Sequence, residues 1–114
     1  MAARILKLRI KLCAFAALGP GKVDLLEAVD RTGSISAAAR DQKMSYRRAW
    51  LLIDEMNRAL THPVLDTSVA GATLTETGRQ VIDIYRRVEA KAAEAITGEL
   101  AEMAVLVRDA EEAG

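Results

Sequence analysis

From Arg4 to Leu12 apolar and polar positions alternate. Leu6, Leu8, Ile10 and Leu12 fall on one side, and Lys7, Arg9 and Lys11 on the other. A period of two over this length predicts a half-buried strand. Leu18-Gly19-Pro20-Gly21 forms a turn, and Pro20 is suited to open a helix. The spacing then becomes helical: Val23, Leu25, Leu26 and Val29 predict a first helix over residues 20–31, stopped by Thr32-Gly33. Ser34 or Ser36 is positioned to cap a second, short helix through Ala37, Ala38, Ala39 and Arg40. Asp41 to Met44 makes a tight turn, and Ser45 caps a third, longer helix. In that helix Ala49, Leu52, Ile53, Met56 and Leu60 share one face, which predicts the buried side. Pro63 breaks the helix.

Beyond Pro63 the period shortens again. Val64-Leu65-Asp66-Thr67 and Ala72-Thr73-Leu74 are two short strands around the hairpin turn Ser68-Val69-Ala70-Gly71. Thr75 caps a last helix, along which Val81, Tyr85, Val88, Ala92, Ile96, Leu100, Met103 and Val107 recur every three or four residues. That stripe is longer than so small a domain needs for its own core. Thr97-Gly98 is the one place where it is expected to break, since glycine costs ~1 kcal/mol in a helix interior. Fraying is expected from Asp109 onward. The fold class is therefore mostly α with a small β component: a winged helix-turn-helix with an N-terminal strand, a short hairpin wing and a long C-terminal helix. Residues 1–90 form the expected domain and 91–114 a helical extension suited to dimerisation.

Composition narrows the class. The chain has 114 residues, of which 51% are hydrophobic and 4% aromatic, enough for one core of closely packed helices. No apolar run approaches the ~18 residues of a membrane span. Lys7, Arg9 and Lys11 interrupt the N-terminal apolar residues, so a signal peptide is not expected and the cytoplasm is the expected location. Cys13 is the only cysteine, which rules out a disulfide or a Cys-based zinc site within one chain. Net charge is zero, but residues 1–48 hold ten Lys/Arg against four Asp/Glu, and residues 49–114 six against twelve. The basic half contains the helix-turn-helix.

That motif, Ser34 to Leu60, carries the functional reading. An α-helix fits the major groove and leads with its N-terminal turn, here Ser45, Tyr46, Arg47 and Arg48. Helical geometry sets Arg47, Leu51, Asp54 and Arg58 opposite the buried face, with Arg48 and Trp50 on the flanks. Arg47 is the candidate for a bidentate contact to guanine, and Leu51 for a thymine methyl. Tyr46 and Arg48 suit phosphates. Ser34 and Ser36 start the supporting helix. The wing has no Lys or Arg between Val64 and Glu76, leaving backbone N–H groups and the hydroxyls of Thr67, Ser68 and Thr73.

Several stretches together resemble a known family: Leu18-Gly19-Pro20-Gly21-Lys22-Val23-Asp24-Leu25-Leu26, Thr32-Gly33-Ser34-Ile35-Ser36, Met44-Ser45-Tyr46-Arg47-Arg48-Ala49-Trp50, Asp54-Glu55-Met56-Asn57 and Leu74-Thr75-x-Thr77-Gly78. They are similar to the N-terminal DNA-binding domain of ModE-type molybdate-responsive transcription regulators, a relative of the LysR-type winged helix. The resemblance covers residues 4–90. It implies a winged helix-turn-helix, a double-stranded DNA operator and a homodimer held by helices outside the reading head. Three features depart from the family. Lys43 occupies a turn position usually held by glycine, the wing is several residues shorter, and nothing after Leu74 resembles the strands of the family's C-terminal oxyanion-binding domains. Residues 75–114 are helical and acidic, with Glu89, Glu94, Glu99 and Glu102 placed to repel an anion. No molybdate site and no cofactor are expected in this chain.

The remaining candidates fit simpler roles. His62 beside Pro63 has no clustered Cys or carboxylates, so no metal site is expected. Cys13 lacks a partner to activate it as a nucleophile. Gly19-Pro20-Gly21-Lys22 lacks the spacing of a phosphate loop and is explained by a helix-opening turn. Asp54-Glu55 is expected to solvate its helix, and Trp50 to pack in core or interface. No enzyme active site can be assembled. The rival to a DNA-binding regulator is a winged-helix adaptor that binds protein, favoured by the uncharged wing and zero net charge.

Overall fold

The structure is a computed structural model in which residues 6–108 are described. The elements follow the order β1 (Ile10–Cys13), β2 (Ala16–Leu18), α1 (Pro20–Thr32), α2 (Ile35–Asp41), α3 (Tyr46–Ala59), β3 (Leu65–Ser68), β4 (Gly71–Leu74), α4 (Glu76–Ala95) and α5 (Thr97–Leu106). Helix α1 is the hub. Val23, Leu25, Leu26, Ala28 and Val29 are fully buried against α2, α3, α4 and β4. Ile35, Ala38 and Ala39 of α2, Ala49, Ile53 and Met56 of α3, and Tyr85 of α4 close the same core. Small alanines at these contacts let α2 and α3 approach α1 closely, which is how a chain so poor in aromatics fills its interior.

Local chemistry sets each boundary. Pro20 stands in the first turn of α1, and Gly33 ends it in the left-handed conformation at φ 74°. Ser34 Oγ accepts from the Ala37 N–H at 3.1 Å, and Ser45 Oγ from the Arg48 N–H at 3.1 Å, each satisfying a donor at the start of its helix. Between α2 and α3, Lys43 adopts φ 57°, the left-handed backbone expected where the family has glycine. Helix α3 stops at Ala59, four residues ahead of Pro63. Asn57 Oδ1 accepts the Val64 N–H at 2.8 Å, which folds the segment through Pro63 back against the end of the helix.

The N-terminal expectation needs correction. The strand predicted over Arg4 to Leu12 is regular only over Ile10–Cys13, and it pairs with a second strand, Ala16–Leu18, that the residue pattern did not reveal. Ile10 opposes Leu18 and Lys11 opposes Ala17, and a bulge at Leu12 precedes Cys13 opposite Ala16. Gly19-Pro20 ends the partner strand to open α1, so residues 6–9 have no ladder to join. They keep the predicted alternation all the same: Leu6, Leu8, Ile10 and Leu12 are half-buried, and Lys7, Arg9 and Lys11 exposed. Tyr85 of α4 anchors them by donating its hydroxyl to the Leu8 carbonyl at 2.6 Å. Arg4 and Ile5 lie outside the described residues.

The wing stands where it was expected, but Ser68 and Gly71 of the expected turn belong to the strands and Val64 does not. Leu65–Ser68 and Gly71–Leu74 pair antiparallel around Val69-Ala70. Two glycines tie it down. Gly71 has φ 138°, and a Cβ there would collide with the Gly33 carbonyl oxygen, which accepts the Ala72 N–H at 2.9 Å. A Cβ on Gly78 would strike the Val64 carbonyl oxygen. Thr75 works at the same corner: its Oγ1 accepts the Gly78 N–H at 3.0 Å and donates to the Pro63 carbonyl at 2.6 Å. The long stripe does break beside Thr97-Gly98, with Ile96 between α4 and α5. Helix α5 buries none of its residues, and Met103, Val105, Leu106 and Val107 are exposed. The fraying expected from Asp109 lies outside the described residues. No helix among the described residues is long and apolar enough to cross a membrane.

Candidate nucleic-acid interface

Helix α3 lies along the surface with one face buried in the core and the opposite face exposed. Ala49, Ile53 and Met56 are inside, and Leu52 and Leu60 half-buried at its border. Arg47, Leu51, Asp54 and Arg58 are all exposed, on the side opposite the core. Among the described residues, Arg47 and Arg48 engage in no ion pair, whereas the Arg58 Nε donates to Asp54 at 3.0 Å. Arg58 also stacks over Phe15, its guanidinium carbon 4.9 Å from the ring centroid. The first turn of α3 thus presents two unneutralised guanidinium groups, while the cation near its end is already engaged.

The structure gathers five of the nine candidate residues into one groove. Ser34 and Ser36 from the start of α2, Tyr46 from α3, and Thr67 and Ser68 from the wing line it. Trp50 lines it too. Its ring meets Tyr46 edge-on, with centroids 6.3 Å apart and planes at 74°, and 38% of the residue is exposed. Of the two roles expected from its flank position, Trp50 is not core; it lines the groove between α2, α3 and the wing. Its spacing of four from Tyr46 puts the two rings on one side of α3, but nothing in the sequence showed that the wing would face them. Ser45, Arg47, Arg48 and Leu51 sit outside the groove on the exposed surface of α3. The wing reaches this position because Ala72 bonds to Gly33, between α1 and α2.

Two charge clusters hold the head rigid, and neither was foreseen. Lys22 is buried, and its Nζ donates to Glu55 at 2.6 Å and to the Ala17 carbonyl at 2.6 Å, joining α1, α3 and β2. Glu55 therefore does not simply solvate its helix. The hydrogen bond and the charge of Lys22 hold its carboxyl below the usual carboxylate range. Arg86 of α4 bonds Asp24 and Glu27 of α1 at 2.7 Å each and Glu89 at 2.8 Å. These bonds, from Glu27 above all, hold the guanidinium protonated well above its ordinary range. Glu89, expected to repel anions, pairs with Arg86 and is only 15% exposed at its side chain, but it shares that one cation with Asp24 and Glu27, so the cluster stays acidic. Elsewhere the Thr61 Oγ1 lies 3.1 Å from the His62 Nδ1. Among the described residues no three His, Cys, Asp or Glu side chains converge as metal ligands.

The model of the bacterial regulatory helix-turn-helix proteins of the lysR family matches residues 21–79, which span α1 to the start of α4. Molybdenum-pterin-binding protein MopB of Rhodobacter capsulatus is 40% identical over 87 residues, covering 72% of this chain and 32% of MopB. The DNA-binding transcriptional dual regulator ModE of Escherichia coli K12 is 36% identical over 85 residues, covering 70% of this chain and 31% of ModE. The chain thus spans about a third of the length of the curated relatives it matches. Among solved structures, the CbnR_DBD–DNA complex superposes with a TM-score of 0.59 at 23% identity, over 74% of this chain and 94% of that one. VV2_1132, a LysR family transcriptional regulator, gives 0.58 at 20% identity, over 76% of this chain and 29% of that one. The fold is shared with these two solved structures, and this chain belongs to the bacterial regulatory helix-turn-helix proteins of the lysR family.

Proposed function

We propose that this chain is the DNA-reading head of a transcription regulator, with α3 entering the major groove of a double-stranded operator. The observation that carries this reading is the pair Arg47 and Arg48. Both are exposed and without an ion pair among the described residues, on the first turn of a capped helix beside the wing groove. Arg47 reads a base edge, and Leu51, one turn along the same face, meets a thymine methyl. Arg48, Tyr46, Ser45, Ser34, Ser36, Thr67 and Ser68 take phosphates and sugars. The relatives named for transcription regulation support the assignment, as does the fold shared with a DNA-bound domain.

The protein acts as a homodimer in the cytoplasm. Residues 1–90 form the head and 91–114 the pairing segment, because α5 buries nothing in its own chain and exposes Met103, Val105, Leu106 and Val107. Glu94, Glu99 and Glu102 are exposed on α4 and α5, a surface unsuited to an oxyanion such as molybdate.

Selection of bound duplexes from a random pool, followed by titration at several salt concentrations, tests the function. A regulator gives a consensus and an affinity that falls steeply with salt as phosphate contacts release counterions. No duplex binding at low salt would instead support the protein-binding adaptor, which the absence of Lys and Arg from the wing favours.

A further inference from the structure

The recognition helix has a second flank, and it is the more basic one. The wing lies along the Tyr46 and Trp50 side of α3. On another side stands the N-terminal hairpin: Arg9, Lys11 and Phe15 share a cleft with Glu55 of α3. We propose that the exposed edge formed by Lys7, Arg9 and Lys11 is a further DNA-binding surface, which holds the phosphate backbone flanking the site read by α3. This extends the DNA-reading assignment above and rests on it.

Three observations carry the proposal. The first is spacing. Alternate residues of an extended segment point the same way at ~3.3 Å per residue, so Lys7 to Lys11 covers ~13 Å. A DNA strand offers one phosphate per ~3.4 Å of axis, so a stretch of that length passes enough phosphates to give each of the three cations one partner. The second is availability. All three side chains are exposed, and among the described residues none is taken up by an ion pair. The one carboxylate lining the cleft, Glu55, is neutralised by Lys22 at 2.6 Å and further influenced by the charges of Arg48 and Arg58. Arg48 stands seven residues, about two turns, before Glu55 and so lies along the same face of α3. The third is rigidity. Tyr85 fixes the Leu8 carbonyl, and Lys22 bridges the Ala17 carbonyl to α3, so the stripe is held in place before any ligand arrives. The backbone is thus ordered beforehand, and only the three side chains lose freedom on binding. The occupant is DNA because the groups are cationic and evenly spaced along an extended backbone. The wing, which has no Lys or Arg, leaves the phosphates on its side without a cationic partner.

The test replaces all three cations together, Lys7→Gln, Arg9→Gln and Lys11→Gln, and measures affinity for the duplex selected by the wild type as a function of salt. Each lost phosphate contact lowers the slope of log K against log salt by ~0.9, so the expected slope is shallower by about two to three. The base preference stays unchanged, because these residues touch no base. A charge-keeping variant, Lys7→Arg with Lys11→Arg, retains the full slope and controls for folding. An unchanged slope in the triple variant, with a reduced slope in Arg48→Ala, overturns the proposal and leaves the recognition-helix reading standing. Wild-type protein without salt-dependent duplex binding overturns both.

Discussion

Replacing Glu55 by Gln probes the junction that fixes α3 to α1 and β2. The amide keeps the shape and removes the charge. Lys22, whose side chain is 10% exposed, then retains the Ala17 carbonyl as its partner but has no counter-ion. Removing one partner of a fully buried pair costs ~3–5 kcal/mol, whereas exposed pairs contribute ~0–1 kcal/mol. Glu55 is 37% exposed at its side chain, so water screens part of the interaction and the expected loss is ~1–3 kcal/mol. In urea, with a slope of ~1–3 kcal/mol per molar, this moves the midpoint down by about 1 M. The double variant Lys22→Met with Glu55→Gln recovers most of the loss, because no unpaired charge is left inside. The pH dependence has a definite sign. Glu55 is depressed in the folded state, so its contribution is complete above the unfolded carboxylate value of ~4.3 and disappears as pH falls through the lower folded value. Wild type and Glu55→Gln should therefore differ at pH 7 and converge in acid. Equal urea midpoints at pH 7, or a gap that persists undiminished in strong acid, would refute the reasoning.

Three further outcomes follow from other parts of the structure. Arg86→Met leaves the carboxylates of Asp24, Glu27 and Glu89 around an apolar side chain, and should lower unfolding stability by ~2–4 kcal/mol by thermal or urea denaturation; a change under ~0.5 kcal/mol would show that the α1–α4 clamp is not structural. Lys43→Gly relieves a left-handed backbone cost of ~1–2 kcal/mol and loses part of that gain to the greater freedom of the unfolded chain, so a small net rise in Tm is expected; a fall would place another role on Lys43. Truncation after Ala90 removes α5 and the end of α4, and sedimentation should then report a monomer; a persisting dimer would locate the interface elsewhere.

The helix-turn-helix was legible because its signals are local. Ser34, Ser45 and Thr75 cap the helices they were expected to cap, and the spacing of Ala49, Ile53 and Met56 identified the buried side of α3. Lys43 stood out because a non-glycine occupies a position that demands the left-handed region. What the sequence hid was long-range. Ala16–Leu18 has no alternation to mark it as a strand, and it is one only because Ile10 and Lys11 lie opposite. Lys22 follows a helix-opening glycine and has every appearance of a surface residue. It is buried because Glu55, 33 residues later, supplies its counter-charge. Arg86 likewise collects partners from 59 and 62 residues away. Trp50 was placed on the correct flank of α3, but its exposure in the groove depends on how closely the wing approaches, which Gly33 and Gly71 set.

The central claim is that α3 reads sequence through Arg47 while Arg48 holds the backbone. It is tested most directly by measuring Arg47→Ala and Arg48→Ala on a panel made of the selected duplex and all of its single-base variants. Arg47→Ala should lose ~1–3 kcal/mol on the selected duplex and become indifferent to the base at one position, while Arg48→Ala weakens every duplex alike and lowers the salt slope by ~1. Unaltered affinity and preference in both variants would contradict the account.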